Sequence, residues 1–410
     1  MRELRAVVIG GGVGGLTAAA ALHHRGWDVT VLERAASLEP VGAGIALAAN
    51  AQRALDTFGA GDAVRALSVP QVDGGLRRPG GYWLSRTDNA AAARRFGGPV
   101  VVAHRADVIA LLASRLPEGA VRTGVRGELA DPGGPDRPAR VTTPGGVLEA
   151  ELVVGADGIH SAVRAALFPG HPAPRYTGFT TWRFVVPAAA APQGGTTAHE
   201  TWGPGRLWGT VPLRDGRVYA YAQAAAPARA QSPGGELAQL RRLFGDWHHP
   251  VPELLAAADP AAVLRNDVHS AADPLPAYHH GRVALLGDAA HSMTPNLGQG
   301  GCQAVEDAVV LAHLATEAAT VHGGDPLPAL PRYTAERLPR TTAVVRRSAR
   351  VGRLACLSSR SGRLLRDAAL VAADRFAPHL ALRGLDGVAD WHPPVHPYAA
   401  QTGTRTKEAP

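Results

Sequence analysis

A glycine-rich turn near the N-terminus, followed by an acidic residue, is the first pattern in this sequence that could do chemistry. Gly10-x-Gly12-x-x-Gly15 follows a short apolar run, and Glu33 ends a second one. In such a motif the first glycine permits a tight turn, the second lets backbone amides approach a pyrophosphate, and the third lets helix and strand pack closely. The helix start would bind the phosphates, and Glu33 could accept hydrogen bonds from a ribose. The pattern predicts a dinucleotide site without distinguishing FAD from NAD.

Two later segments place an aspartate just after a predicted strand. One is Gly155-Ala156-Asp157-Gly158, and the other begins Gly287-Asp288 and continues into a glycine-rich stretch over 295–301. Asp288 could bond the ribityl or ribose hydroxyls of a flavin nucleotide. A helix that starts among these glycines would direct its positive dipole end at the pyrimidine end of the flavin and stabilise its anionic reduced form. These segments favour FAD.

The elements that must position these residues alternate between strands and helices at the N-terminus. Apolar runs at 4–9 and 28–32 flank an Ala-rich helix over 16–25, which makes one βαβ unit. We also expect a helix over 50–58 with Asn50 as its N-cap, a strand at 100–103, a helix at 106–116 and a single strand over 148–154.

The pattern changes between about residues 176 and 267, where aromatic residues and short alternating strands appear around an Asp215-Gly216 turn. This block predicts an antiparallel sheet followed by a helical stretch over 231–258. A strand at 282–286 and a helix over 301–321 return to the α/β pattern, and residues 333–375 are predicted to be mainly helical.

Composition excludes several classes of protein. The 410 residues are 46% hydrophobic, which allows two domains, and no apolar window approaches a membrane span. The net charge of +7 comes from scattered arginines, and Lys407 is the only lysine, so we predict no nucleic-acid partner. Cys302 and Cys356 lack metal-ligand spacing, so no metal site is expected. With no signal peptide recognised, a cytoplasmic location is predicted.

The three segments together resemble the group A flavin-dependent monooxygenases, the family with the para-hydroxybenzoate hydroxylase-like fold, over most of residues 1–340. The Gly-Gly-Cys form at Cys302 is similar to the branch that holds FAD-dependent urate hydroxylase, zeaxanthin epoxidase and salicylate hydroxylase. In this family residues 41–45 pass the flavin ring. The motifs and the resemblance together predict FAD contacts at Gly10, Gly12, Val13, Gly14, Gly15, Glu33, Arg34, Ala43, Gly44, Arg105, Val125, Asp157, Asp288, Pro295, Gly298, Gly300 and Gly301.

The resemblance implies an α/β fold with a Rossmann-like FAD-binding domain of the GR2 type, an antiparallel-sheet substrate domain and C-terminal helices. We predict that the FAD-binding domain is discontinuous, comprising residues 1–175 and 268–330. The substrate domain would span 176–267 with part of 70–98, followed by a helical region over 331–390 and a loose tail over 391–410. The oligomeric state is left open.

The sequence contains one complete dinucleotide fingerprint, so no second Rossmann domain is expected. The resemblance implies that NAD(P)H binds transiently and reduces FAD. Molecular oxygen would then form a flavin C4a-hydroperoxide, which hydroxylates or epoxidises an electron-rich aromatic or heteroaromatic molecule. A two-fingerprint Baeyer–Villiger-type enzyme is disfavoured, and so is a flavin-dependent halogenase, which uses a catalytic lysine near its first domain.

The substrate would lie between the antiparallel sheet and the flavin. By resemblance to urate hydroxylase, Arg206 and Tyr219 fall at substrate-contacting positions, and with Arg183 they are the predicted catalytic residues. Asn296 stands where the urate enzyme has an acid, which argues against urate itself. His160 and His291 are predicted to hold loops, and Cys302 to be a small packed residue, although a helix start could stabilise its thiolate. The candidate lining residues are Trp182, Arg183, Trp202, Arg206, Trp208, Tyr219 and Tyr221.

Two alternative functions are also compatible with these motifs. The FAD motifs are shared with flavin dehydrogenases and reductases, which move hydride without inserting oxygen. A non-catalytic FAD- or ligand-binding protein would also carry them, although the complete set of motifs favours an enzyme.

Overall fold

The computed structural model describes residues 4–38, 43–68, 73–192, 197–271, 273–377 and 385–394. Its strands, in chain order, are β1 Arg5–Ile9, β2 Asp28–Glu33, β3 Gly44–Leu47, β4 Asp73–Arg77, β5 Trp83–Asp88, β6 Val101–His104, β7 Val121–Thr123, β8 Glu128–Asp131, β9 Ala139–Thr143, β10 Gly146–Ala150, β11 Leu152–Gly155, β12 Arg175–Val186, β13 Ala198–Gly203, β14 Arg206–Pro212, β15 Val218–Ala225, β16 Leu264–Ser270, β17 His279–His280 and β18 Val283–Leu285.

The described helices alternate with these strands at first and dominate after residue 300. They are α1 Val13–His24, α2 Ala49–Asp56, α3 Gly61–Arg65, α4 Asn89–Phe96, α5 Arg105–Ala113, α6 Ala162–Leu167, α7 Glu236–Phe244, α8 Val251–Ala257, α9 Asp288–His291, α10 Gly300–Val321, α11 Ala329–Ala355 and α12 Arg360–Phe376. Within the described ranges, none of these helices is long and apolar enough to span a membrane.

A six-stranded sheet in the order β17-β18-β11-β1-β2-β7 forms the centre of the α/β part. β1 pairs in parallel with both β2 and β11, and β11 pairs in parallel with β18. Val7, Val8 and Ile9 are all buried because helix α1 and a three-stranded antiparallel sheet, in the order β10-β9-β8, both pack against these strands. The carboxyl ends of β1, β2, β11 and β18 therefore meet at one edge, which is where the glycine and aspartate motifs follow their strands.

A seven-stranded sheet in the order β16-β12-β15-β14-β13-β4-β5 forms the second layer. Its neighbours are antiparallel except for β13 and β4, which pair in parallel. One face packs on α7 and α8 through Trp182, Phe184, Trp208 and Phe244. The other face meets β3, β6 and the helices α11 and α12. The predicted fold class, with a parallel sheet, an antiparallel sheet and C-terminal helices, is thus observed, whereas the domain boundaries stay a prediction.

The structure corrects the predicted role of Asn50. Helix α2 begins one residue earlier than expected, and its N-cap is Ala48. Asn50 is fully buried inside the helix, where its amide donates to the Gln299 side chain at 3.0 Å and to the Glu306 carboxylate at 2.6 Å. An asparagine before an apolar run is a common N-cap. Here Asn50 is instead buried within the helix, because polar partners from distant parts of the chain satisfy its amide.

The predicted single strand over 148–154 is also wrong, because the chain changes partner at Glu151. Residues before it form β10, which pairs with β9 in an antiparallel hairpin, and residues after it form the central strand β11. The Glu151 carboxylate accepts the backbone N–H of Arg5 at 3.0 Å, which fixes the break between the two strands. The stretches over 231–258 and 333–375 are helical as expected, and each comprises two helices.

Candidate cofactor and substrate site

The glycine turn joins β1 to α1 at the carboxyl edge of the parallel sheet. Gly10 has a φ of 115°, and a Cβ on Gly15 would lie 2.0 Å from the Gly10 carbonyl oxygen, so both positions require glycine. A Cβ on Gly12, by contrast, would meet no atom within 4 Å. Helix α1 starts at Val13 with no side-chain cap and no acidic residue in its first turn. Its first N–H groups and positive dipole end therefore face open space, as an anion site requires.

Small residues bring α1 close to the other motif segments. A Cβ on Gly14 would lie 2.8 Å from Cδ1 of Leu286, which follows β18, and 3.0 Å from Cβ of Ala304 in α10. This tight packing places the start of α1 beside both the end of β18 and the first turns of α10. The predicted phosphate end and the predicted flavin end of the site are therefore built on one rigid unit.

Glu33 connects the end of β2 to the glycine turn. Its Oε2 accepts the backbone N–H of Gly11 at 2.7 Å, and its Oε1 accepts that of Ala35 at 2.8 Å. Val125 is held beside it, since its N–H donates to the Glu33 carbonyl oxygen at 2.9 Å, and Arg34 is exposed. Each carboxylate oxygen keeps a lone pair, so ribose hydroxyls can still bind there.

Asp157 follows β11 and caps a helix. Its Oδ2 accepts the backbone N–H groups of Ala162 and Val163 at 2.7 Å and 3.1 Å, at the start of α6. Its Oδ1 is buried and has no hydrogen-bond partner within the part of the chain that the structure describes. A buried acceptor without a donor is costly, so this oxygen is a candidate contact for a bound group.

Asp288 lies at the end of β18, on an exposed position in the first turn of α9. Gly287 before it has a φ of 58° and a ψ of −139°, a conformation that glycine adopts most readily. The guanidinium of Arg164 donates to the Ala289 carbonyl oxygen at 2.9 Å, which ties α6 to this turn. Asp157 and Asp288 thus follow neighbouring parallel strands and reach the same edge.

A buried ionic network lies directly beneath this turn. The Asp307 carboxylate accepts the backbone N–H of Gly287 at 3.0 Å, binds Nε2 of His291 at 2.5 Å and binds Nε of Arg337 at 2.7 Å. Arg337 also pairs with Glu306 at 2.7 Å. Burial by itself would raise the pKa of Asp307, but the neighbouring His291 and Arg337 lower it to about 2. His291 therefore holds a loop, whereas the role of Arg337 was not foreseen.

The glycine-rich stretch over 295–301 packs against residues 43–48. Gly298 has a φ of 61°, Pro295 begins a 3-10 turn, and Gly300 begins α10. The thiol of Cys302 lies 3.5 Å from the Gly298 carbonyl oxygen and 3.6 Å from that of Ala46. Burial raises the pKa of Cys302 to about 12, so the helix start does not stabilise a thiolate.

Segment 43–48 carries three of the five residues predicted to pass the flavin ring, Ala43, Gly44 and Ile45. Ala43 is buried, and its carbonyl oxygen accepts the backbone N–H of Arg105 at 2.9 Å. A Cβ on Gly44 would lie 2.5 Å from the Tyr219 ring. The predicted stretch begins at 41–42, which lies outside the described residues.

Arg105 and Arg183 place two positive charges close enough to interact with each other and, for Arg105, with Asp288. In each, Nε is buried and has no hydrogen-bond partner among the residues that the structure describes. Desolvation, and then the charge of Arg183, lower the pKa of Arg105, while Asp288 opposes the shift. The guanidinium of Arg183 donates to the Asn266 side chain at 2.7 Å. Two partly unsatisfied guanidinium groups favour binding of an anionic or oxygen-rich ligand.

Strand alternation separates the predicted lining residues into two sets. Arg183, Trp202, Tyr219 and Tyr221 lie on the face of the seven-stranded sheet that meets the α/β part and the C-terminal helices. Trp182, Trp208 and Arg206 lie on the opposite face. Arg206 stacks there over Phe244 and Trp247, with its Cζ 5.8 Å and 5.7 Å from the ring centroids. The structure therefore does not bring Arg206 to the site.

Tyr219 is the predicted catalytic residue that lies nearest the segments of the flavin motif. It is 9% exposed and packs with Val102 of β6 and Leu213. Burial raises its pKa to about 12, against the opposing effect of Arg183. Tyr219 is consequently a neutral phenol at ordinary pH and can donate a hydrogen bond.

Glu200 is a polar residue of the same face that sequence reasoning missed. Its Oε1 accepts the Tyr221 hydroxyl at 2.9 Å, and its Oε2 accepts the Trp202 indole N–H at 2.5 Å. Burial raises its pKa, against the effect of these two hydrogen bonds. The only available signal was the alternation that places Glu200 and Trp202 on one face of β13.

The residues present fit FAD. The uncapped start of α1, the space beside Gly12 and the carboxylate of Glu33 suit the adenosine diphosphate portion. The orphaned Oδ1 of Asp157 and the exposed Asp288 suit hydroxyl groups further along the same edge. Within the described residues, no group of three or more His, Cys, Asp or Glu side chains could hold a metal ion.

Comparisons with known proteins agree with this geometry. A family model described as FAD binding domain matches residues 3–348. An aurachin C monooxygenase/isomerase from Stigmatella aurantiaca is 38% identical, over 86% of this chain and 89% of the relative. A 3-amino-4-hydroxybenzoate 2-monooxygenase from Streptomyces cremeus is 37% identical, over 85% and 87%.

A solved structure with the same architecture is that of HpxO from Klebsiella pneumoniae in complex with FAD and uric acid. It superimposes with a TM-score of 0.81 at 30% identity, covering 93% of this chain and 95% of that one. The resemblance predicted from the three motif segments is confirmed. The chain belongs to the FAD binding domain family and, within it, to the group A flavin-dependent monooxygenases.

Proposed function

We propose that this oxidoreductase uses NAD(P)H and molecular oxygen to hydroxylate or epoxidise an electron-rich aromatic or heteroaromatic small molecule at the face of its FAD. The observation that carries the proposal is the contact between Tyr219 and Gly44. It brings the sheet that bears Arg183, Tyr219 and Tyr221 directly against the segment that passes the flavin ring in this family. Relatives with the same fold are named for oxygenation of aromatic rings, which supports the same reaction here.

When bound, FAD supplies the electron transfer from NAD(P)H and the activation of oxygen. The residues of this chain bind and orient the cofactor and the substrate, and they exclude water from the site. Arg105 and Arg183 offer positive charge to anionic groups of the bound cofactor or to an oxygen of the substrate. Tyr219 holds its proton and donates a hydrogen bond, while its ring and that of Tyr221, 5.7 Å apart, form an apolar surface for a flat substrate.

Replacing Tyr219 with Phe removes one hydrogen-bond donor and leaves the packing of the ring in place. We expect slower substrate oxygenation, by about tenfold or more, with unchanged FAD content. An oxygenation rate equal to that of the unmodified enzyme would show that the Tyr219 hydroxyl has no part in the reaction.

The function is tested with the FAD-loaded protein by following NADH and NADPH oxidation across phenols, indoles, quinolones and purines in labelled oxygen. Substrate-stimulated oxidation with one labelled oxygen atom in the product supports the proposal. A product oxidised by two electrons without labelled oxygen would instead identify the dehydrogenase alternative. The transient binding of NAD(P)H and the cytoplasmic location stay predictions.

A further inference from the structure

A row of four residues crosses the seven-stranded sheet on the face that carries Tyr219. Arg183 of β12 lies opposite Tyr221 of β15, Tyr221 lies opposite Gly209 of β14, and Gly209 lies opposite Glu200 of β13. Residues directly opposite each other in a sheet project to the same side. The row therefore presents a guanidinium at one end, an aromatic ring near its centre and a carboxyl group at the other end.

Gly209 allows the row to act as a unit. A Cβ at this position would lie 2.0 Å from Cζ of Tyr221, so the Tyr221 ring lies across the glycine and covers the strand where no side chain projects. The ring thereby reaches Glu200, to which the Tyr221 hydroxyl donates at 2.9 Å. The second donor to Glu200 is the Trp202 indole. Both donors are neutral, and each carboxyl oxygen retains capacity to accept a further hydrogen bond.

The neighbouring positions of β15 show what this row faces. On one side, Tyr219 contacts Gly44 of the segment over 43–48. On the other side, the Gln223 side chain accepts the Asn296 amide at 3.3 Å, and Asn296 belongs to the glycine-rich stretch over 295–301. Tyr221 lies between these two contacts. Tyr221 is thus opposite the gap between the two segments predicted to hold the flavin ring, and the row continues from it to Arg183 on one side and to Glu200, near α11, on the other.

We propose that this row is the polar axis that selects the substrate. Arg183 binds a carbonyl or phenolic oxygen at one edge of the substrate, Tyr221 supports its ring, and Glu200 accepts an N–H group at the opposite edge. Three strand intervals of about 4.8 Å separate the α-carbons of Arg183 and Glu200 by about 14 Å. With both side chains reaching inwards, the remaining span suits a fused bicyclic ring.

The substrate class that follows is an uncharged, flat heteroaromatic with an oxygen at one edge and a ring N–H at the other. A carboxylate at the edge near Glu200 would be repelled where Glu200 is ionised, whereas a ring N–H would find an acceptor there. This inference rests on the proposed function, because it assigns the row to the substrate of that same site.

The test measures binding to the FAD-loaded enzyme by calorimetry, without NAD(P)H, so that no turnover is needed. The probes are 4-hydroxyquinoline, whose 4(1H)-quinolone tautomer presents a carbonyl oxygen and a ring N–H at opposite positions, its N-methyl-4-quinolone derivative, and 4-hydroxybenzoate. We expect 4-hydroxyquinoline to bind about tenfold more tightly than the N-methyl compound, the loss expected for one hydrogen bond to a buried acceptor.

The Glu200→Gln variant should bind 4-hydroxyquinoline about tenfold more weakly, because an amide cannot satisfy two protein donors and a substrate N–H equally well. The variant should also lose the preference for 4-hydroxyquinoline over the N-methyl compound. It should bind 4-hydroxybenzoate more tightly than the unmodified enzyme does. Glu236→Gln is the matched control, since Glu236 accepts the Trp182 indole N–H at 2.7 Å on the opposite face of the sheet. This control should leave all three affinities unchanged.

Equal affinity for the two quinolones in the unmodified enzyme, or a preference that survives Glu200→Gln, would overturn the proposal. Failure of 4-hydroxyquinoline to bind would overturn it as well. A probe that binds as predicted in calorimetry but takes up no labelled oxygen with NAD(P)H contradicts the proposed function while leaving the binding axis supported, so the two failures are distinguishable.

Discussion

Replacing Asp307 with Asn is expected to remove about 3–5 kcal/mol from the free energy of unfolding, because it breaks a buried ionic network. The side chains of Glu306 and Asp307 are 0% exposed, Arg337 is 1% exposed and Arg340 is 17% exposed. Two carboxylates thus face two guanidinium groups away from water. The asparagine keeps the shape of the side chain and leaves one arginine charge uncompensated.

The pH dependence of stability follows from the pKa of Asp307, which the fold lowers from 3.8 to about 2. A carboxyl group whose pKa is lower in the folded state stabilises the fold above its unfolded pKa, and that stabilisation is lost as the pH falls through the folded value. The shift corresponds to about 2 kcal/mol. The difference in the free energy of unfolding between the unmodified protein and the Asp307→Asn variant should therefore be constant near neutral pH. It should become smaller below about pH 4.

The assay is urea unfolding of the apo and FAD-loaded proteins, followed by circular dichroism, together with the dissociation constant of FAD. Since Asp307 also binds the Gly287 N–H beneath Asp288, the variant should bind FAD more weakly. Glu317→Gln is the control, because Glu317 and Arg332 form an exposed pair and its loss should cost less than about 1 kcal/mol. A loss of less than about 1 kcal/mol for Asp307→Asn would show that the buried ionic network does not stabilise the fold as predicted.

Two further predictions concern the glycine turn and the thiols. Gly12→Ala should weaken FAD binding by at least about tenfold while leaving the melting temperature of the apo protein unchanged, because the new Cβ meets only the space expected for the pyrophosphate; equal FAD affinity in a titration would contradict this. Iodoacetamide should modify neither Cys302 nor Cys356 in the native protein, since burial raises their pKa values to about 12 and 11. Rapid labelling of the folded protein, detected by mass spectrometry, would show that these sites open.

The motifs that bind the cofactor could be predicted because each is local in sequence. The requirement for glycine at positions 10 and 15 arises within one turn, where a positive φ and a 2.0 Å approach leave no room for a side chain. Asp157 and Asp288 each follow a buried apolar strand directly. The edge where they meet follows from the rule that carboxyl ends of parallel strands lie together.

The ionic network beneath the flavin turn could not be predicted, because its members are far apart in the chain. Asp307 and Arg337 lie on different helices, and the burial that makes their pairing matter exists only after α10 and α11 pack together. The same is true of Asn50, whose sequence context favours a helix cap but whose partners come from residues 299 and 306.

The sequence by itself determined the βαβ unit, the FAD motifs and the family, because these depend on short-range spacing and strand periodicity. The tertiary structure alone decided which face of the antiparallel sheet each residue occupies. A shift of one residue reverses the side of the sheet, so Arg206 packs on Phe244 while its neighbour Leu207 contacts the opposite cluster. The alignment of Arg183, Tyr221, Gly209 and Glu200 depends on the register of four strands, which hydrogen bonding between strands sets only once the sheet has formed.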